Sequence, residues 1–263
     1  MSPRGKRPAG ERADRDVGGD QVEGFHAVRE LLRARTRRVR EVWVVERASG
    51  ADEIAGLAAA AGVRVRPVGP VQLEERARSE APQGVLALAD PIPAASVDEL
   101  IAAPDAFLVV LDGVTDPGNL GAILRTAETA GVTGLVLTRH RGARLGPTAL
   151  KAAAGAAEHV PIATVGGVPG FLDQARRAGV WTVGLDGDGT ADVHDLAVAD
   201  APVALVLGAE GRGLARLTRE RCDVLAAIPM HGRLASLNVA AAAAVALHAV
   251  ARRRHAGGPE TRL

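Results

Sequence analysis

Asn119, Arg125 and Glu128 lie in the run Asp116-Pro-Gly-Asn-Leu-Gly-Ala-Ile-Leu-Arg-Thr-Ala-Glu128, where Gly121, Arg125 and Glu128 follow one another at the helical spacings of four and three. Asp116-Pro117-Gly118 reads as a turn, Asn119 as the N-cap of the helix it opens, and Leu120, Ile123, Ala127 and Ala130 as the apolar face of that helix. Gly121, Arg125 and Glu128 then share another face, where a surface ion pair between Arg125 and Glu128 is the simpler reading on spacing alone. A second run, Leu205-Val-Leu-Gly-Ala-Glu-Gly-Arg-Gly-Leu214, sets Gly208 directly after an apolar strand, where small residues let a ligand approach the backbone. It follows a late strand and does not read G-x-G-x-x-G, which rejects the dinucleotide fingerprint. In a third run, Ile228-Pro-Met-His-Gly-Arg-Leu-Ala-Ser-Leu-Asn238, a strand ends at Ile228 and the last helix opens at Ser236, which suits a helix cap, with Leu237 as simple core.

The elements that must position these residues alternate in type. Gly24 to Arg35 reads as a helix, Val42 to Val45 as a strand, Glu53 to Ala61 as a helix, Val63 to Val68 as a strand, Val71 to Ser79 as a helix and Val85 to Ala89 as a strand. That is a small α/β sandwich over residues 22–89. Pro91 and Pro93 mark an extended connection at the start of a linker region, 90–104. Strands and helices then alternate again over 105–254, with Leu108 to Leu111 and Val203 to Leu207 apolar without alternation, the pattern of central parallel strands covered on both faces. Residues 1–21 mix charges with Gly and Pro and are expected to be a disordered tail, and residues 255–263 a second tail.

Composition narrows the chemistry. The 263 residues carry a formal net charge of +1, so contacts to a polyanion must come from local basic patches. Only Lys6 and Lys151 are lysines, and the three Phe, two Trp and no Tyr cannot build a base-stacking sheet. Cys222, the lone cysteine, reads as a buried thiol in a reducing compartment, and the histidines show no metal-ligand spacing. No stretch is long and apolar enough for a membrane span, and a cytoplasmic location is expected. From Arg29 to Arg40 six arginines face one glutamate, a segment suited either to phosphate contact or to a solvated face.

In order and spacing, the three runs resemble the motifs of the SpoU/TrmH (SPOUT) family of RNA ribose 2'-O-methyltransferases, most closely its RlmB type, and Gly24-Phe25-His26-Ala27-Val28 resembles the family's opening G-x-H-A-V. The resemblance implies a domain like ribosomal protein L30e for RNA recognition, followed by a SPOUT α/β domain with a mostly parallel sheet and a deep trefoil knot. It implies S-adenosyl-L-methionine as cofactor, a homodimer, and a guanosine of 23S rRNA as substrate. Residue by residue, it implies catalytic roles for Asn119, Arg125, Glu210, Ser236 and Asn238 and cofactor contacts at Gly208, Ile228 and Leu237. In an RNA-recognition domain the basic segment makes Arg35, Arg37 and Arg38 candidate phosphate contacts. The family assigns Arg125 the general-base role, which a guanidinium fills poorly, so Arg125 either removes the proton of the 2'-hydroxyl or stays charged and anchors a phosphate. Two departures stand out: Ala240 replaces the serine of Asn-Val-Ser, and Pro82 replaces the histidine before Gln83-Gly84. The alternatives are a tRNA or thiostrepton-resistance type of methyltransferase, or a catalytically silent RNA-binding assembly factor.

Overall fold

The computed structural model describes residues 16–140 and 142–255, so most of both expected tails lies outside the described residues. The first domain begins inside the expected N-terminal tail. Residues Val17 and Gly18 exchange backbone hydrogen bonds with Ile92, and strand β1 (Gln21–Glu23) follows at once. Next come α1 (Phe25–Ala34), β2 (Val39–Val45), α2 (Ala51–Ala60), β3 (Arg64–Val68), α3 (Pro70–Arg76) and β4 (Val85–Ala89), in a sheet of order β1-β4-β2-β3. Only the β2–β3 pair is parallel. Strand periodicity sorts the side chains: Val42, Val44, Val85 and Ala87 pack under α1 and α2, while Trp43 and Leu86 face Leu73 of α3. Arg66 and Arg76 lie over the Trp43 ring at 4.6 and 5.0 Å.

The expected linker region contains a helix, α4 (Val97–Ala102), whose cap is Ser96: its Oγ accepts from the Glu99 amide at 3.4 Å. The Ser-Val-Asp-Glu sequence is a capping box. The second domain continues with β5 (Phe107–Asp112), α5 (Pro117–Thr129), β6 (Gly134–Thr138), α6 (Pro147–Ala153), β7 (Ile162–Val165), α7 (Val168–Arg177), β8 (Trp181–Leu185), β9 (Ala191–Asp192), β10 (Val203–Gly208), α8 (Arg216–Arg221), β11 (Val224–Ala227) and α9 (Val239–Arg254). Every pairing in its seven-stranded sheet, β7-β6-β5-β10-β8-β11-β9, is parallel. Phe107, Val109 and Leu111 pack on the α5, α6 and α9 side, and Leu108 and Val110 on the α4 and α7 side, as unalternating apolar strands require.

Helix α6 ends at Ala153. Ala154 and Gly155 take left-handed conformations, and a short 3-10 turn (Ala156–Glu158) follows. A Cβ on Gly155 would collide with the Glu30 side chain, so the break lets α1 lie against the second domain. Beneath it Arg37 and Glu158 form a bidentate ion pair, 2.6 and 3.0 Å, with both side chains 3% exposed. Arg37 Nη1 also donates to the carbonyls of Gly19 and Asp90.

Candidate active site

Strand order reverses between β5 and β10, whose last residues, Asp112 and Gly208, are register partners. Loops leaving the carboxyl ends of parallel strands at such a point form a crevice. After β5 the chain turns into α5, capped by Asp116, whose Oδ1 accepts from the Asn119 amide at 2.7 Å. Asn119 is therefore not the cap that its position suggests. It sits inside the first turn with its side chain free to reach outward, donating through Nδ2 to Glu210 Oε1 from the loop after β10.

Asn238 completes the network. It is the true N-cap of α9 in place of Ser236: its Oδ1 accepts from the Ala240 and Ala241 amides at 2.8 and 3.4 Å, and its Nδ2 donates to Asn119 Oδ1 at 3.1 Å. Three residues from three distant segments thus meet, and each amide keeps one N–H unengaged among the described residues. Ser236 is exposed, and among the described residues its hydroxyl makes no hydrogen bond, so the structure leaves it outside the network.

Arg125 lies six residues beyond Asn119, about 9 Å along α5 at 1.5 Å per residue. It is exposed, and among the described residues it does not pair with Glu128. It lines a cleft of about 760 Å³ between the two domains, together with His26, Arg78, Gln83, Thr148 and Lys151. Gly121, one turn earlier, is buried rather than sharing that exposed face: a Cβ there would strike the Ala149 carbonyl and Ala152, so its absence lets α6 approach α5.

At the positions expected to meet the cofactor, a Cβ on Gly208 would strike the backbone of Gly213 and Leu214, because Ala209 and Gly213 pair back on each other. Gly208 is thus demanded by the loop's own closure and not by open ligand space. Ile228 is half-buried against the core. Leu237 is 42% exposed rather than core, near the exposed Met230 and Leu234 of the same loop.

Of the basic segment, Arg37 is corrected: its guanidinium is sealed in the Glu158 ion pair and cannot meet RNA. Arg35 donates to the Ala60 carbonyl, and Arg35 and Arg38 are exposed around a hollow of about 350 Å³. Cys222 is partly buried, and burial, then the Asp223 and Asp112 carboxylates, push its thiol up to about 12, which keeps it neutral. Among the described residues no cluster of side chains could hold a metal ion, and no helix is long and apolar enough to cross a membrane.

A parallel sheet with a convergent polar network at its switch point, preceded by a separate mixed-sheet domain, defines a two-domain α/β enzyme. The SpoU rRNA methylase family profile matches residues 106–248, and that of RNA 2'-O ribose methyltransferase substrate binding matches residues 21–95. The 23S rRNA (guanosine-2'-O-)-methyltransferase RlmB of Pseudomonas aeruginosa is 39% identical over 243 residues, 89% of this chain and 97% of its own. RlmB of Bordetella pertussis is 41% identical over 240 residues, again 89% and 97%. The SpoU methyltransferase AviRb from Streptomyces viridochromogenes, solved with AdoMet, superposes with a TM-score of 0.76 at 29% identity, over 96% of this chain and 95% of that one. The chain belongs to the SpoU rRNA methylase family.

Proposed function

We propose that this protein transfers a methyl group from S-adenosylmethionine to the ribose 2'-hydroxyl of a guanosine in 23S rRNA. The observation that carries the reading is the Asn119–Glu210–Asn238 network at the switch point, in a chain that shares both domains with RlmB relatives at about 40% identity. The residues at the strand ends fit the cofactor. Gly211 and Gly213 take left-handed backbone with open space around them, and Met230, Leu234 and Leu237 offer apolar surface to a heteroaromatic ring.

When bound, S-adenosylmethionine supplies an electrophilic methyl group. The chain's own residues do the positioning. The unengaged N–H groups of Asn119 and Asn238 can hold the ribose, and Glu210 keeps the Asn119 amide turned toward it. Arg125, exposed and without an ion pair among the described residues, offers its planar fork to the flanking phosphate, the account this structure favours over proton removal. The protein acts in the cytoplasm as a homodimer. The expected trefoil knot belongs to the same reading.

Ribose methylation mapped across ribosomal and transfer RNA, with and without the gene, tests this. Loss of one guanosine 2'-O-methyl in 23S rRNA is the expected result. Loss in tRNA would instead establish the tRNA type, and no loss anywhere would leave a silent assembly factor.

A further inference from the structure

The basic segment offers RNA two open arginines, but the structure places a different cation at the junction of the domains. Arg78 lines the cleft of about 760 Å³ that holds Arg125. It also lines a second cleft, about 550 Å³, walled by Arg139 and Arg144, and a third of about 310 Å³ beside Arg40. Its backbone is fixed: the Arg78 amide donates to Glu23 Oε1 at 2.7 Å, and the Ser79 amide and hydroxyl donate to Glu23 Oε2. Glu23 is fully buried at the wall of the Arg125 cleft, and both of its carboxylate oxygens are taken up by this loop. The following residues are held from the other domain, where Lys151 Nζ donates to the carbonyls of Glu80 and Ala81. Ala81 and Gln83 carry left-handed backbone in between, a conformation that costs free energy outside glycine and persists only when its surroundings hold it. The Arg78 guanidinium, by contrast, is exposed and makes no ion pair among the described residues.

An anchored backbone under an unpaired cation, at the meeting of clefts that also contain Arg125, Arg139 and Arg144, has the character of a phosphate site. We propose that Arg78 binds the RNA backbone next to the methylated nucleotide, guiding the strand along the domain seam to Arg125, with the Glu80–Gln83 loop and Lys151 as its positioning support. This rests on the reading of the protein as an RNA methyltransferase. A cleft of about 760 Å³ lies within the usual range for small-ligand sites and can seat one nucleotide with its phosphate.

The test uses full-length Arg78→Ala, Arg78→Lys and Thr148→Glu, the last placing a carboxylate on the wall of the Arg125 cleft. Affinity for 23S rRNA from cells lacking the gene is measured over a salt series, alongside single-turnover methyl transfer and cofactor binding. Both side chains, Arg78 and Thr148, are exposed, so the fold should survive. Arg78→Ala is expected to weaken binding about tenfold and to flatten the log–log salt slope by about 0.7 to 0.9, the share of one phosphate contact. Arg78→Lys should keep the slope and Thr148→Glu should weaken binding. Unchanged affinity and slope in Arg78→Ala would overturn the proposal and leave Arg78 a solvated surface residue. Should the wild type methylate tRNA and not 23S rRNA, the target reading fails, and Arg78 is judged by the same slope on tRNA. Should it methylate neither, the slope on 23S rRNA still decides.

Discussion

Asn238 does two jobs through opposite ends of one amide: its oxygen caps α9 and its nitrogen holds Asn119. Asn238→Asp keeps the acceptor and removes the donor, so thermal stability should hold while single-turnover methyl transfer falls about tenfold, the worth of one hydrogen bond near 1.4 kcal/mol. Asn238→Ala removes both and should also lose about 1 kcal/mol of stability in denaturant titration. For Arg125, the phosphate-anchor account predicts that Arg125→Lys retains part of the activity with weaker RNA positioning, whereas Arg125→Ala loses it. Equal loss of the chemical step in both, with RNA and cofactor still bound, would favour proton removal. Residue identity was legible in the sequence more readily than residue role. Asn119 and Ser236 were natural caps by type, yet Asp116 and Asn238 hold those positions, because a cap depends on where the helical dihedrals begin and a shift of two or three residues is invisible in composition. Gly208 was legible as necessary, but the reason, its own loop pressed against it, required coordinates.

Among the elements, the long apolar strands β5 and β10 and the Ala/Leu helices were readable from pattern, whereas β1, β7 and β9 were not. Each of those three has four residues or fewer, too short for a period to show, and their positions come from pairing with neighbours. Helix α4 was readable from its capping box but was absorbed into a proline-marked linker. Side chains also tie elements together. The Asp223 carboxylate, one residue before β11, accepts from the Thr182 amide and hydroxyl of β8 at 2.9 and 2.6 Å and pairs with Arg176 of α7 at 2.7 Å. Burial acts to raise its pKa, but the Thr182 hydrogen bonds and the Arg176 charge outweigh it and hold the carboxyl below the usual carboxylate range. A depressed folded-state pKa adds stability above the unfolded-state value and loses it as pH falls through the folded one. Asp223→Asn should therefore destabilise the protein at neutral pH, and the gap from wild type should close below about pH 4, followed by acid titration of the unfolding midpoint.

At the scale of the whole molecule, one apolar cluster runs from Val22 and Leu31 of the first domain to Leu150 and Ala157 of the second, and the Arg37–Glu158 pair is sealed inside the same seam. Arg37→Met strands a buried carboxylate and should cost about 3–5 kcal/mol in urea unfolding, while adding Glu158→Leu should restore most of it. If Arg37 served RNA instead, the single variant would change binding and leave stability alone. The two-domain plan was legible, since a proline-marked connection separates two runs of alternating elements. Their mutual docking was not, because it depends on Gly155, Arg37 and Lys151, which look ordinary in their own segments. Docked in this way, the domains act as a gauge. The interval between the RNA feature gripped by the first domain and the ribose presented to the second is set by protein geometry, and a flexible tether could not set it. An RNA with one base pair inserted between those two features would keep every recognised base and still escape methylation.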